Sequence, residues 1–298
     1  MELLVIAGPT ACNKSQIGIE LAKELNGEII SADSLQVYKY MDIGTAKVQD
    51  TCGITHHLID MLEPDKPFSA AQYQEMGKAA IKDIKSRGRL PILVGGSGFY
   101  INALLYDVAF NEAGHNVAYR DSLYALAQEK GTPHLFEMLQ KADPVYAADN
   151  KDNTARLIRG LEYYKQTGQP ISQHNKEQAK LMYAYNAKVF LMDLPRDTLY
   201  ENINKRVDIM IEQGLVNEVK DLLNMGYGPK LAPMGSIGYK EIVNYINKEE
   251  NGSYSLDRAV NDIKQNTRRF AKRQLTWFRN KTPGQWVQNN VDAILDKI

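Results

Sequence analysis

A short loop between an apolar segment and a helical segment constrains the fold of this chain more than any other feature. The loop consists of Gly8, Pro9, Thr10, Ala11, Cys12, Asn13, Lys14 and Ser15. Leu3–Ala7 reads as a buried strand before it, and helical periodicity follows it. In that setting backbone N–H groups and a helix N-terminus face an anion, and Lys14 and Ser15 reach phosphate and Mg²⁺. The pattern predicts a phosphate-binding loop (P-loop); an ordinary loop-to-helix turn is the alternative.

Asn13 stands where the G-x-x-x-x-G-K-[ST] pattern of such loops has its second glycine. The turn needs a residue that tolerates a positive φ, and asparagine is the non-glycine residue that does so best. We therefore expect the loop to form around Asn13.

Alternating strand and helix patterns over residues 1–110 predict an α/β fold with a parallel sheet covered by helices. The strands are predicted at 3–7, 28–32 and 90–94, and the helices at 15–25 and 69–86. Residues 111–185 show helical periodicity with Gly or Pro breaks and predict a helical insertion. A strand at 189–194 and helices at 196–224, 237–245 and 256–279 return to the core. We place the core at 1–110 and 186–298, with boundaries in the stretches 111–116 and 185–188.

The charge balance hides a local basic segment. The chain has 36 Lys and Arg against 36 Asp and Glu, which by itself argues against a nucleic-acid-binding protein. Residues 263–291, however, contain seven Lys or Arg and no Asp or Glu. Phe270, Ala271, Leu275 and Phe278 form one stripe of this helix, which predicts packing on the core with a basic outer face. RNA contact by that face is a hypothesis; a membrane-surface helix is the less favoured alternative, because the aromatic stripe is needed for packing.

The composition is that of a soluble protein of a reducing compartment. No apolar run approaches the ~20 residues that span a bilayer, and Cys12 and Cys52 are the only cysteines. We expect a cytoplasmic protein without a disulfide and without membrane attachment.

Two polar segments follow predicted strands. Asp33 comes directly after the strand at 28–32, at the edge where open α/β sheets bind ligands. Its carboxylate would serve there as a base or, alternatively, cap the next turn. Gly95-Gly96-Ser97-Gly98 ends the strand at 90–94, and Ser97 is either a substrate contact or a solvated turn residue. That strand lacks the Asp with which a kinase would often hold Mg²⁺, which argues against phosphoryl transfer.

Other polar groups are ambiguous by local pattern. His56 and His57 are adjacent rather than at metal-ligand spacing, so we interpret them as structural. Arg156 and Arg159 share one helix face, which would either clamp phosphates or simply be solvated. Arg206 has no distinguishing local pattern.

Taken in order, these motifs resemble the tRNA dimethylallyltransferase (tRNA isopentenyltransferase) family along nearly the whole chain. The matching segments are residues 8–11, 33–38, 41–47, 56–60, 93–98, 156–159, 237–241 and 271–279. The chain departs from the family at Asn13, where Gly is usual, and at Ser15 and Ser97, where Thr is common.

The resemblance implies a P-loop NTPase-like core that bears the active site and a helical insertion that grips the anticodon stem-loop of tRNA. The implied reaction moves the dimethylallyl group of dimethylallyl diphosphate to the N6 amine of the adenosine 3′ of the anticodon (position 37). Implied catalytic residues are Asp33 as general base, Ser97, and Arg206 on the leaving diphosphate with the P-loop, where the Ser15 hydroxyl holds Mg²⁺. Implied tRNA contacts are Asp33, Ser34, Leu35, Gln36, Ser97, Arg120, Arg156 and Arg159. We expect a monomer.

Three alternatives stay open at this point. An adenylate dimethylallyltransferase would use the same core on free AMP, ADP or ATP, but would not need the insertion at 111–185. A P-loop small-molecule kinase would consume ATP without a prenyl donor. A tRNA-binding module with an inactive P-loop is the non-catalytic possibility, suggested by Asn13.

Overall fold

The computed structural model describes residues 1–108, 110, 117–178, 182–248 and 253–298. Within them the chain divides into a core unit (Met1–Asp107 and Tyr183–Ile298) and a helical unit (Val108–Met182). The first predicted boundary stretch, 111–116, lies outside the described residues. The chain returns to the core unit just before the second stretch, 185–188.

The described part of the core unit contains one six-stranded sheet. Its strands are β1 (Leu3–Ala7), β2 (Gly27–Ala32), β3 (His56–His57), β4 (Leu90–Gly95), β5 (Ala187–Asp193) and β6 (Gln285–Gln288). The order across the sheet is β3-β2-β4-β1-β5-β6, and every pairing is parallel. This sheet confirms the predicted α/β class.

Helices cover both faces of the sheet. In the core unit, the first three are α1 (Lys14–Glu24), α2 (Ala70–Ser86) and α3 (Gly98–Leu105). The helical unit contains α4 (Val117–Lys130), α5 (Thr132–Ala142), α6 (Pro144–Asp149), α7 (Thr154–Thr167) and α8 (Ile171–Gln178). The core unit ends with α9 (Arg196–Glu212), α10 (Leu215–Asn224), α11 (Tyr239–Lys248), α12 (Leu256–Lys281) and α13 (Asp292–Leu295). No described helix is both long and apolar enough to span a bilayer.

The central strand β1 divides its side chains between two cores. Leu3, Val5 and Ala7 pack with residues of α2 and α3 on one face of the sheet. Leu4 and Ile6 pack with residues of α1 and α9 on the other. Because successive side chains of a strand point to opposite faces, a strand covered on both sides must be apolar throughout.

The register of three strands brings three loops to one edge of the sheet. Ala7 at the end of β1 pairs with Gly95 of β4, and Gly95 pairs with Ala32 at the end of β2. Since the strands are parallel, the P-loop, Asp33 and Gly96 all leave the sheet at this edge. A Cβ on Gly95 would lie 2.2 Å from the Ala32 carbonyl oxygen, so the close approach requires glycine.

The predicted single helix at 196–224 is wrong. The structure has two helices there, α9 and α10, separated at Gly214 with φ 100. That conformation ends a right-handed helix and suits glycine. The short strands β3 and β6 were not predicted either, because two to four residues are too few to show a strand period.

The helical unit has its own small core. Leu123, Leu135, Leu139, Leu157 and Ile158 are buried together there. The chain between its helices is tied by Asp143, whose carboxylate accepts hydrogen bonds from the N–H groups of Tyr146 (3.0 Å) and Ser172 (2.8 Å).

A buried carboxylate ties the edge strand β3 and the end of α2 to the sheet. Glu28 of β2 is fully buried and accepts hydrogen bonds from Arg87 and Arg89, the latter at 3.0 Å. Nε2 of His57 in β3 lies 2.7 Å from Glu28 Oε2. The hydrogen bonds from Arg87, with that from His57, lower the pKa of Glu28 from 4.5 to about 2.

We predict that Glu28→Gln destabilises the core unit and flattens its acid denaturation. A carboxyl with a lowered pKa stabilises the folded state above its unfolded pKa, and this stability is lost as the pH falls from about 4.5 towards 2. At pH 7 the variant should lose about 2 kcal/mol, because the arginines keep only a neutral partner. Urea unfolding between pH 7 and pH 3 measures both effects. The exposed Glu24→Gln is the control, and equal pH slopes in wild type and Glu28→Gln would contradict the prediction.

Candidate active site

A polar cavity lies at the sheet edge where β1, β2 and β4 end. It brings together six of the residues that the sequence singled out: Thr10, Lys14, Ser15, Asp33, Gln36 and Arg206. Gly95, the last residue of β4, and Gly96 also line it. The sequence patterns therefore converge on one site, although they lie up to 196 residues apart.

The P-loop adopts the strained turn that the motif requires. Asn13 has φ 63 in the left-handed region and precedes the first residue of α1, Lys14. The substitution of glycine by asparagine is therefore compatible with the backbone. Cys12 is fully buried and would contact a Cβ placed on Gly8 at 2.9 Å, which explains the glycine at the start of the loop.

Two cationic groups are desolvated inside the cavity. Lys14 and Arg206 are half-buried as whole residues, and burial of their charged ends lowers the pKa of both groups. Lys14 Nζ donates to the Pro9 carbonyl at 3.0 Å, and Arg206 Nη1 donates to Thr10 Oγ1 at 3.3 Å. The negative charge of Asp33 opposes the effect of burial on both. Two desolvated cations facing one carboxylate favour the binding of an anion.

Asp33 both closes a turn and faces the cavity. Its Oδ1 accepts a hydrogen bond from the N–H of Leu35 at 2.9 Å, which is the local capping role. The same side chain lines the cavity, so the two interpretations of Asp33 are compatible. Ser34 is exposed, and Leu35 packs against the cluster of α9 to α12.

Gln36 is held at both ends of its amide. Its Oε1 accepts from Ser31 Oγ at 2.9 Å, and its Nε2 donates to the carbonyls of Thr45 (3.3 Å) and Ala46 (3.5 Å). Ser31 and Thr45 also line the cavity. The orientation of the Gln36 amide is therefore fixed before any substrate binds.

Gln274 of α12 is a site residue that sequence reasoning missed. It is 7% exposed; its Oε1 accepts from the N–H of Thr10 at 2.9 Å, and its Nε2 donates to the Gly96 carbonyl at 2.9 Å. One side chain thus joins the P-loop to the turn after β4. A glutamine on the buried side of a basic amphipathic helix was the available signal, because a buried amide needs partners. Phe270 of the same helix also lines the cavity.

Ser97 and the two histidines take other positions. Ser97 precedes α3 next to Gly96 but does not line the cavity, and its hydroxyl does not cap that helix. His57 contacts Glu28, and Nδ1 of His56 lies 2.9 Å from the Ile54 carbonyl. Both histidines thus have structural partners.

The cavity offers oxygen ligands for a hard divalent cation only in small number. Within the described ranges, no three His, Cys, Asp or Glu side chains are grouped as a metal site. The hydroxyls of Ser15 and Thr10 line the cavity beside the two cations. A cation that takes one or two protein oxygens and completes its shell with phosphate oxygens and water fits this donor set.

The three arginines predicted to contact RNA lie in the helical unit. Arg120 of α4 is held by Glu162 of α7, with Nε–Oε1 2.9 Å and Nη2–Oε2 2.8 Å. Hydrogen bonding by Glu162 raises the pKa of Arg120. Arg156 Nη1 donates to Asn150 Oδ1 at 3.0 Å. Burial raises the pKa of Tyr146, and the positive charges of Arg156 and Arg159 oppose that rise.

The sheet, the P-loop and the desolvated cations define a P-loop protein whose cavity, at the carboxyl edge of a parallel sheet, suits a phosphorylated ligand. The family model of the IPP transferases matches residues 36–281, and the chain belongs to this family. It is similar to the tRNA dimethylallyltransferase of Lachnoclostridium phytofermentans, with 46% identity over 297 residues, 98% of this chain and 94% of the relative.

Solved structures agree with this assignment. The tRNA isopentenylpyrophosphate transferase of Bacillus halodurans superimposes with a TM-score of 0.71 at 41% identity, over 99% of this chain and 92% of that one. A eukaryotic dimethylallyltransferase described as acting on tRNA superimposes with a TM-score of 0.80 at 27% identity, over 97% of this chain and 74% of that one.

We predict that Gln274→Glu weakens the binding of inorganic diphosphate by at least about tenfold. The carboxylate still accepts from Thr10 but cannot donate to Gly96, and it adds negative charge beside an anion site, which together should cost more than about 1.4 kcal/mol. Isothermal titration calorimetry measures the affinity. Gln285→Glu makes the same charge change at an exposed position outside the cavity and should have little effect. Equal affinities in both variants would contradict a role of Gln274 in the site.

Proposed function

We propose that this chain transfers the dimethylallyl group from dimethylallyl diphosphate to the N6 amine of the adenosine 3′ of the anticodon (position 37) in tRNA. The product is N6-(dimethylallyl)adenosine. The observation that carries the proposal is the placement of Lys14, Arg206 and Asp33 around one cavity. Two cations suit a diphosphate leaving group, and a carboxylate beside them suits removal of a proton from an amine.

The donor side of the reaction relies on leaving-group stabilisation. Negative charge grows on the diphosphate as its C–O bond breaks. In the proposal the P-loop amides, Lys14, Arg206 and the hydroxyl of Thr10 meet that charge. Mg²⁺, held by the Ser15 hydroxyl together with the diphosphate, would neutralise further charge on the leaving group.

The acceptor side relies on proton removal and orientation. The exocyclic amine of adenine is a weak nucleophile, so Asp33 takes its proton as the new C–N bond forms. Gln36, whose amide is already fixed, orients the base, and Ser97 on the neighbouring turn assists it. Ser34 and Leu35 would contact the flipped nucleotide. Flipping a nucleotide out of a single-stranded loop costs less free energy than flipping it out of a duplex.

The tRNA would be held by the helical unit and by the basic face of α12. Arg156 and Arg159 would contact phosphates, and Arg120 would add a guanidinium whose orientation Glu162 fixes. The ion pair with Glu162 stabilises the helical unit around Arg120, but it partly neutralises the positive charge that Arg120 can offer to a phosphate. We propose that the enzyme acts as a monomer in the cytoplasm, where tRNA is modified.

The proposal is tested by incubating the protein with total tRNA, Mg²⁺ and labelled dimethylallyl diphosphate, followed by digestion and detection of prenylated adenosine. Parallel reactions replace tRNA with AMP, and the donor with ATP. Prenylation of AMP in preference to tRNA would favour an adenylate dimethylallyltransferase. ATP consumption without a prenyl product would favour a kinase. Binding of tRNA without turnover would favour an inactive binding module.

We predict that Asp33→Asn lowers the single-turnover rate by about 10²–10⁴-fold, because asparagine does not accept the amine proton. Its side-chain oxygen still accepts from Leu35, so the turn and the tRNA affinity should be retained. Rapid quench with saturating tRNA and donor measures the rate, and filter binding measures affinity. A wild-type rate in this variant would remove Asp33 from the chemistry.

We predict that Arg156→Ala combined with Arg159→Ala weakens tRNA binding and reduces its salt dependence by up to about two phosphate contacts. The rate at saturating tRNA should change little, since neither arginine lines the cavity. Salt-titrated filter binding measures the effect. Lys130→Ala with Lys141→Ala removes the same charge from the same unit as a control, and an equal loss in that pair would contradict a specific role of the arginines.

A further inference from the structure

One carboxylate outside the cavity holds a loop of which one residue, Thr45, lines the cavity. Glu218 of α10 accepts hydrogen bonds from three successive backbone N–H groups. Its Oε2 accepts from Asp42 at 2.9 Å and Ile43 at 2.7 Å, and its Oε1 accepts from Gly44 at 3.0 Å. Successive amides that converge in this way form an anion-binding concavity. Here the anion is a side chain of the protein itself.

Tyr239 of α11 secures the same contact from the other side. Its hydroxyl donates to Glu218 Oε1 at 2.7 Å, and the residue is fully buried. A Cβ on Gly44 would lie 2.5 Å from the Tyr239 ring, so the loop backbone is pressed against the ring. The position of the loop on α10 and α11 is therefore set by three hydrogen bonds to Glu218, which Tyr239 holds with a fourth, and by a close packing contact.

The loop transmits this position to the cavity. The N–H of Lys47 donates to the Asp42 carbonyl at 3.0 Å, which closes residues 42–47 into one turn. At its far side, the carbonyls of Thr45 and Ala46 accept from Gln36 Nε2. Moving the turn would therefore move the acceptors that orient the Gln36 amide, and it would move Thr45 in the cavity wall.

We propose that Glu218 is a positioning residue for the acceptor side of the reaction, acting through the 42–47 turn on Gln36. The inference rests on the proposed function, in which Gln36 orients the adenine. Glu218 does not line the cavity. The donor side is held by different contacts, those of Gln274 and Arg206 with the P-loop. Loss of Glu218 should thus disturb the orientation of the adenine and leave the binding of diphosphate unchanged.

The test is a double-mutant cycle between Glu218→Gln and Gln36→Leu. A glutamine presents one acceptor oxygen and an NH₂ group to donors that need two acceptors, so the turn loses its anchor. With saturating tRNA and donor, Glu218→Gln should lower the single-turnover rate by about 10- to 100-fold, as expected for misplacement of a reacting group. Its affinity for inorganic diphosphate should stay at the wild-type value. In the Gln36→Leu background, Glu218→Gln should cause less than about a twofold further loss.

Two further variants keep the result interpretable. Asp221→Asn removes a charge from an exposed position of the same helix, beside the same surface cavity as Glu218, and should act as wild type. Tyr239→Phe removes one donor to Glu218 and keeps the ring, so it should lower the rate in the same direction. If thermal melting shows that Glu218→Gln is unfolded at the assay temperature, Tyr239→Phe replaces it in the cycle.

Equal losses in both backgrounds, an unchanged rate, or a matching loss of diphosphate affinity would overturn the inference while the wild type remains active. A wild type that prenylates no tRNA would overturn the proposed function, and the inference with it.

Discussion

The cavity concentrates positive charge where the fold has little water to screen it. Lys14 and Arg206 both have their charged ends desolvated, and Asp33 is the only carboxylate among the described residues that line the cavity. This arrangement costs stability in the free protein, because desolvated cations retain few partners. The backbone carbonyl of Pro9 and the hydroxyl of Thr10 offset part of the cost. An anion in the cavity would offset more of the cost, so the folded state should gain stability when the site is filled.

That constraint explains why so much of the core unit serves to fix the P-loop. The loop needs a left-handed Asn13 at one end, a glycine at the other and a buried glutamine from α12 across its middle. Each of these three residues alone contributes little to fixing the conformation of the loop. Together they hold donors in place before charge develops on a substrate, which is the arrangement that favours electrostatic catalysis.

Features with a local cause were predictable from the sequence. The apolar strand, the loop and the helix around Lys14 lie within one short segment. The parallel direction of the strands follows from the alternation of strand and helix patterns along the chain. The position of Asp33 followed from the same logic, since it directly succeeds a strand. The break at Gly214 was missed because helical periodicity continues on both sides of it, and only the backbone angle reveals the separation.

Features that depend on distant partners were not predictable in this way. Gln274 contacts a residue 264 positions away, and Glu218 contacts one 176 positions away. The local sequence around Arg206 does not distinguish it from other helical arginines, and only the fold shows its contact with Thr10. The role of such residues depends on the register of the sheet and on helix packing, and a single sequence carries neither directly. Family resemblance indicated Arg206, but it gave no reason to select Glu218.

The Gln274 bridge also has a consequence for the order in which the protein is made. A ribosome adds roughly 5–20 residues per second, so Thr10 is synthesised on the order of 13–50 s before its partner 264 residues later. β1 likewise lacks the hydrogen bonds of its second edge until β5 has been synthesised. During that interval the nascent chain carries a P-loop without the side chain that joins it to the end of β4. An unfinished chain therefore lacks the bridge between the P-loop and the turn after β4, and a ribosome that stalls before α12 leaves a product without the Gln274 contacts.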